Sequence, residues 1–471
     1  VAEDLFFATI VELGQKLRKR EISAVDLVQQ FALRLERLGP RYNALALPLT
    51  ESAIRRARQI DDDIKRERFR SPILGIPYGA KDLLSLAGKP TTWGAKPYAA
   101  QVFDHTATVI TKLDRAAAVL VGKLGMVELA GGGGYRYAAA SLTGAGLNPW
   151  DRARWSGGSS SGSGAAVAAG LVPFAIGSET YGSIITPSSY CGITGLRPTY
   201  GLVSRYGAMP LSWTLDKIGP MCRSAEDCAL VLQAISGGDG KDPGSAGKSF
   251  YYTPQFARET KDLRIGFAAV DWSEWPEPES RPVFEKALGD VKSLGARMVE
   301  VKLPEFPYSP VIGAIISTEG SAVFEPLIRS GAVDQLADQR QIAGLMAGLE
   351  VPAKDYLKAM RIRRRIHQEL RRMYADVDVL VTPGRLGPAS RVSDPLDRPP
   401  ERPNPKEPGL TLLTAASNLA GFPALCLPCG FVNNLPLAIQ FAGVPFSENT
   451  LIALGKQYQS VTDWHRRRPP V

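Results

Sequence analysis

Histidine is almost absent from this chain: His105, His367 and His465 are the only three in 471 residues. None stands in a motif beside a serine, and His367 and His465 fall in arginine-rich stretches that read as surface, so a Ser-His-Asp triad has little to build on. Cysteine is scarce too, and Cys191, Cys222, Cys228, Cys426 and Cys429 form an odd set with no repeated metal-type spacing. One C-x-x-C is present at Cys426 and Cys429, but without a second pair or a nearby histidine, small apolar packing outweighs zinc or redox work. Reduced thiols in a cytoplasmic protein are the expectation. No apolar run is long enough to cross a bilayer, and no fixed-period repeat points to a solenoid or propeller. The opening VAEDLFFATI places acids where a signal peptide needs positive charge, so the chain reads as not exported. A P-loop lysine and a helix-opening G-x-G-x-x-G are also missing, which speaks against a nucleotide site, although a glycine-rich helix start can still hold an anion.

What is present suits a globular protein: 44% apolar and 22% charged residues, in a length that can bury a large core. The net charge of +9, with the RIRRR run at Arg361 to Arg365 and HRRRPP near the end, invites a nucleic-acid reading. A solvated helix face explains such runs better, and neither nucleic acid nor membrane is expected as a partner. Apolar residues recur at helical spacing over Leu5 to Arg18, Ser23 to Leu38 and Glu51 to Arg66, with Ser23 an N-cap and Gly39-Pro40 a stop. Helix and strand then alternate to the end of the chain. The later elements are LRIGFAA, the helix 282–295, ARMVEVKLP, the helix 354–374, VDVLVTP, the helix 410–419, ALCLPCGF, LPLAIQFAGV and the helix 449–458. That alternation predicts an α/β protein in one domain over 1–471. Within it, 1–70 holds N-terminal helices, 71–235 a core, 236–410 a further α/β segment with loops, and 411–471 a return to the core sheet. Gly131 to Trp155 reads as a long loop of the kind that is functional in compact proteins, with Gly131 to Ala140 a candidate lid. The proline- and arginine-dense stretch 384–408 reads as a surface excursion.

The stretch from Ser156 to Ser204, SGGSSSGSGAAVAAGLVPFAIGSETYGSIITPSSYCGITGLRPTYGLVS, is so rich in glycine, serine and alanine that its backbone must approach something closely. Upstream, Lys81 stands among Ile76, Tyr78, Ala80, Leu83 and Leu84. It either snorkels to the surface or lies in the interior, where desolvation lowers a lysine toward a useful base. With imidazole excluded, a neutral lysine is the physical substitute for activating a serine.

These residues give the chain a resemblance to the amidase signature family. The motifs are Gly157-Gly158-Ser159-Ser160-Ser161-Gly162-Ser163, then Gly177-Ser178-Glu179-Thr180-Tyr181-Gly182-Ser183-Ile184-Ile185, then the run from Cys191 to Gly201, preceded by Gly75-Ile76-Pro77-Tyr78-Gly79-Ala80-Lys81-Asp82. The resemblance implies the amidase-signature fold, a large mixed central β-sheet covered by helices on both faces. It also implies Ser183 as nucleophile, Ser159 as a bridging serine on a cis Gly158–Ser159 peptide, and Lys81 as the base. Backbone N–H groups of Thr180, Tyr181, Gly182 and Ser183 then form the oxyanion hole, and no metal or organic cofactor is needed. Three positions depart from the family pattern: Tyr181 replaces a glycine, Glu179 an aspartate and Ile185 an arginine. The A subunits of tRNA-dependent amidotransferases hold glutamine with an acid several positions before N-L-A-G. Here that place falls near Thr411, and 408–417 contains no acid. The expectation is therefore a stand-alone hydrolase of amides, with anilides, aryl esters and carbamates in range, as a monomer or homodimer acting on a small molecule. Its substrate-binding candidates are Gly131, Gly132, Gly133, Tyr135, Tyr137, Ile185 and Trp213. The glutaminase type, working within a tRNA-dependent amidotransferase, ranks second, and a catalytically silent binding module is disfavoured because Lys81, Ser159 and Ser183 are all present.

Overall fold

Side chains alternate across a β-strand, so a strand covered on both faces splits its apolar residues between two cores. Strand Ala424–Val432 does this: Leu425, Leu427 and Cys429 enter one core, Ala424 and Cys426 the other. Its neighbour Leu435–Gly443 divides likewise, with Leu437, Ile439 and Phe441 against Ala438 and Ala442. The protein is seen in a computed structural model that describes residues 2–398 and 403–471. Among them, eleven strands form one mixed sheet. Across it the order is Leu45–Pro48, Val119–Leu124, Pro77–Lys81, Phe174–Glu179, Lys217–Cys222, Thr194–Arg197, Ala424–Val432, Leu435–Gly443, Val379–Pro383, Arg264–Phe267 and Arg297–Glu300. This is the mixed α/β single domain expected from the alternation of elements and from the family resemblance.

One feature of the topology positions the site. Pro77–Lys81 and Phe174–Glu179 are adjacent and parallel, with Tyr78 opposite Phe174 and Ala80 opposite Ile176. Their C-terminal ends, and the loops that follow, therefore emerge together, as at the ligand-binding edge of other parallel sheets. Between them in sequence, helix Ser161–Ala168 is buried on every side. Its glycines permit contact with neighbouring backbone: a Cβ on Gly162 would lie 2.6 Å from the Ala44 carbonyl oxygen and from the Gly125 backbone. The small-residue stretch is thus a closely packed core helix, the buried strand Phe174–Glu179, a turn into a second buried helix, Ile185–Cys191, and the strand Thr194–Arg197.

Helix starts follow the local chemistry. Ser23 caps Ala24–Leu38 by accepting the Asp26 N–H. The helix expected over Leu5 to Arg18 is interrupted, because Thr9 and Glu12 form a capping box that starts a new helix at Ile10. Helices Tyr308–Val323 and Gln339–Leu349 were not anticipated. The first, YSPVIGAIISTEGSAV, is rich in β-branched residues, serine and glycine and lacks a polar stripe, so packing rather than propensity decides it. The loop 131–155 ends in a small hairpin, Leu147–Asn148 with Asp151–Trp155. The stretch 384–408 is not all surface excursion: Ala389 is buried beside Trp155 and Tyr190, and the Trp155 N–H donates to the Ser390 carbonyl at 2.9 Å. Residues 399–402 of it lie outside the described residues.

Candidate active site

Lys81 ends its strand fully buried, which removes the snorkelling alternative. Its Nζ lies 2.7 Å from Ser159 Oγ and 2.9 Å from Ser178 Oγ. The adjacent acid, Asp82, is engaged elsewhere, pairing with the buried Lys123 at 2.7 Å and accepting from Thr92. Lys81 is therefore surrounded by hydroxyls. Burial lowers its pKa from 10.5 to about 7, against a weaker upward pull from Asp216 and Glu179. The Gly158–Ser159 peptide is cis, and the Ser159 carbonyl accepts the Val127 N–H at 3.1 Å.

Ser183 stands in the turn between strand Phe174–Glu179 and helix Ile185–Cys191. Gly182 has φ +82°, a conformation that suits glycine. Glu179 braces this turn: its Oε2 accepts the N–H groups of Ile184 and Ile185 at 2.8 and 3.0 Å. Its Oε1 accepts from Arg197 and from Asn418 Nδ2, both at 2.8 Å. Burial alone would raise the Glu179 pKa, but Arg197, Asn418 and Lys217 outweigh it and hold the carboxyl at about 2. The turn's other side is tied by Thr180, whose hydroxyl donates to Asp216 at 2.6 Å; Asp216 in turn accepts the N–H groups of Leu211 and Ser212. With Ile184 and Ile185 committed to Glu179, the N–H groups of Tyr181, Gly182 and Ser183 donate to no protein group among the described residues.

Beside this turn is a cleft of about 440 Å³ lined by Ala130, Gly131, Gly133, Gly134 and Tyr135, by Thr180, Tyr181, Ser183 and Leu211, and by Ser309, Ile312, Gly313, Ile316 and Ser317 of helix Tyr308–Val323. A smaller hollow of about 200 Å³ shares Ala130, Thr180 and Leu211 with it and reaches Ser178, beside Lys81. Of the substrate-binding candidates, Gly131, Gly133 and Tyr135 are walls of the cleft, where the oxyanion-hole candidate Tyr181 is half-exposed. The others are not. Gly132 packs toward Leu211 and Phe324. Tyr137 lies at the surface under Arg136, its N–H given to Asp338. Ile185 is 0% exposed in the second core, because the turn's bracing by Glu179 directs its helix inward. Trp213 borders the smaller hollow instead. Thr411 gives its hydroxyl to the Pro408 carbonyl and is not among the cleft walls.

The sequence reading missed several contributors: Ser178 on Lys81, the Arg197 and Asn418 brace on Glu179, Asp216 under Thr180, and the whole wall from helix Tyr308–Val323. Arg197 and Asn418 could have been suspected, since a charged and an amide side chain in otherwise apolar runs need buried partners. Gly131, Gly132 and Gly133 serve close packing: a Cβ on Gly133 would lie 2.5 Å from the Gln341 carbonyl of helix Gln339–Leu349. The candidate lid is fastened to that helix's N-terminus, where Asp338 Oδ2 accepts the Arg136 and Tyr137 N–H groups. No three His, Cys, Asp or Glu side chains gather into a metal site among the described residues, and no helix there is long and apolar enough to cross a membrane.

Fold and site together define an α/β enzyme of the class that cleaves carbon–nitrogen bonds of amides. The Amidase family model matches residues 26–452, and the chain belongs to the amidase family. It is 35% identical to the A subunit of a glutamyl-tRNA(Gln) amidotransferase from Chloroflexus aggregans, over 99% of both chains. Among solved structures it is similar to the native peptide amidase of Stenotrophomonas maltophilia, with TM-score 0.85, 30% identity and 98% of each chain covered. It is also similar to the A subunit of the Thermotoga maritima glutamyl-tRNA(Gln) amidotransferase, with TM-score 0.76, 28% identity, and 99% and 97% of the two chains covered.

Proposed function

We propose that the chain hydrolyses amides through an acyl-enzyme on Ser183, with Ser159 relaying protons to and from Lys81. The observation that carries this reading is a buried lysine with a pKa near 7, in contact with a serine hydroxyl and, among the described residues, with no carboxylate in contact to keep it charged. Ser183 Oγ bonds to the carbonyl carbon while its proton passes to Ser159, and the Ser159 proton passes to Lys81. The carbonyl electron pair moves onto oxygen, where the free N–H groups of Tyr181, Gly182 and Ser183, with Thr180 beside them, stabilise it; one such donor is typically worth about 3 kcal/mol. The C=O bond then re-forms, the C–N bond breaks, and Ser159 returns a proton to the departing nitrogen. Water attacks the ester by the same relay and frees Ser183.

For the identity of the amide, the sequence relatives favour glutamine, as in the glutaminase component of a tRNA-dependent amidotransferase, over the stand-alone hydrolase preferred from sequence. Such a component works beside partner chains. The stand-alone reading keeps one specific support, the apolar and aromatic wall of Tyr135, Tyr181, Ile312 and Ile316. A panel of L-glutamine, apolar primary amides, anilides, aryl esters and carbamates, read by the acyl mass retained on Ser183, tests both. A γ-glutamyl mass alone supports the amidotransferase reading, and acylation only by apolar members supports the stand-alone one. Acyl mass on no residue, with turnover, removes the acyl-enzyme.

A further inference from the structure

We propose that Gly313 is a specificity-determining residue: the side chain it lacks leaves room in the cleft beside Ser183 for an uncharged, apolar substituent of the amide. The proposal rests on the amide-hydrolase reading and adds a substrate class to it. Glycine inside a helix weakens it relative to alanine, so it needs a reason: a left-handed backbone, a close neighbour or a function. Gly313 lies in the interior of helix Tyr308–Val323 and outside the left-handed region. It has no close neighbour either, since a Cβ there would meet nothing within 4 Å outside the helix's own backbone. The other glycines of this helix and of its neighbour Gln339–Leu349 are packed. At Gly320 a Cβ would lie 3.1 Å from Leu211 Cδ1, at Gly344 it would overlap the Gly133 carbonyl oxygen, and at Gly348 it would overlap Ser321 Oγ.

Function is the reason that remains, and the place of Gly313 supports it. The helix packs Val311, Ile312 and Ile315 into the second core, while Ser309, Gly313 and Ser317, spaced four apart and so on one face, line the cleft that Ser183 lines. Gly289 in helix Arg281–Ser293 is equally without neighbours, but it is no part of that cleft. Any side chain at 313 would stand between two serines and take up cleft volume directly. The remaining walls include Tyr135, Tyr181, Leu211 and Ile316, and no charged side chain among the described residues lines the cleft. Its volume of about 440 Å³ falls within the roughly 300–1,000 Å³ of sites that take up drug-sized molecules. A ring or branched chain on the amide therefore covers apolar wall without stranding a charge.

The test uses the full chain as Ser183→Ala, so that binding is measured without turnover, with S183A/G313A and S183A/G313L beside it. The ligands are uncharged amides graded on either side of the C–N bond: propionamide, isovaleramide and 4-phenylbutyramide for the acyl side, N-methylacetamide and acetanilide for the amine side. Each is titrated calorimetrically. Expected in S183A is an affinity that rises with size in at least one series, by about tenfold or more between its ends. That preference falls by about tenfold or more in S183A/G313L and by less in S183A/G313A, which carries the comparison if the leucine variant does not fold. G313A alone should melt no lower than the unsubstituted protein, because alanine favours a helix. No size preference in S183A, a preference untouched by both substitutions, or a G313A melting temperature lowered by several degrees overturns the proposal. Release of ammonia or amine by the enzyme with Ser183 intact is measured separately. Size-selective binding without release removes hydrolysis and keeps the assignment of Gly313; release with flat binding does the reverse.

Discussion

Replacing Lys81 by methionine should abolish activity and at the same time stabilise the fold. Each pKa unit corresponds to about 1.36 kcal/mol, so the difference between 10.5 and about 7 amounts to about 5 kcal/mol against holding the ammonium inside. Methionine fills similar space without that charge. It forfeits the contacts to Ser159 and Ser178, about 1 kcal/mol each, leaving a net gain of about 2–3 kcal/mol at neutral pH. The sign of the pH dependence follows from proton binding. Between pH 7 and 10.5 the unfolded chain keeps the Lys81 proton that the folded chain has released, so wild-type stability rises with pH there relative to K81M. The slope is at most about 1.4 kcal/mol per pH unit, so the advantage of K81M is gone by about pH 9, and above pH 10.5 wild type is the more stable by the two hydroxyl contacts, about 2 kcal/mol. Urea unfolding of both proteins at several pH values measures this difference. The same titration sets the rate: kcat/KM should rise with pH through a midpoint near 7 as Lys81 becomes neutral. A stability difference that is flat from pH 7 to about 10, together with a rate midpoint near the ordinary 10.5, would refute a neutral buried lysine.

The remaining predictions concern the turn and the cleft. Ser183→Ala should remove turnover while leaving substrate binding measurable, and a rate equal to wild type would exclude Ser183 as nucleophile. Glu179→Gln strands the buried Arg197 guanidinium and should cost about 3–5 kcal/mol in unfolding free energy along with most activity; a melting curve unchanged from wild type would contradict the brace. Because the folded Glu179 pKa is depressed to about 2, its contribution to stability is complete above the usual 4.5 and is lost as pH falls toward 2; acid titration of E179Q beside wild type shows whether that limb is missing. Tyr181→Gly, at a half-exposed cleft wall, should leave the melting temperature nearly unchanged and weaken aromatic amides by about three- to tenfold in KM relative to small ones.

The resemblance carried by the ordered motifs implied Lys81, Ser159 and Ser183 as candidates, because short runs of glycine and serine around a few polar residues can be matched to a family without any fold. Alternating helices and strands likewise showed the α/β class, since periodicity is a local property of the chain. Local composition could not say whether Lys81 reached water. That depended on Asp82 being taken by Lys123, a residue 41 positions away, and on the strand bearing Ser178 lying alongside. The same limit applied to Ile185, placed in the core by the Glu179 bracing of its turn, and to Tyr137 and Trp213, whose aromatic character alone did not show which surface they face. Helix Tyr308–Val323 escaped notice because its residues favour no helix on their own and become one only when packed. Taken alone, the order of residues specifies which groups could do the chemistry and the class of fold that carries them. Tertiary packing settles which of those groups are desolvated, which charges are already paired and which side chains share the cleft, because burial and pairing depend on residues far apart in the chain.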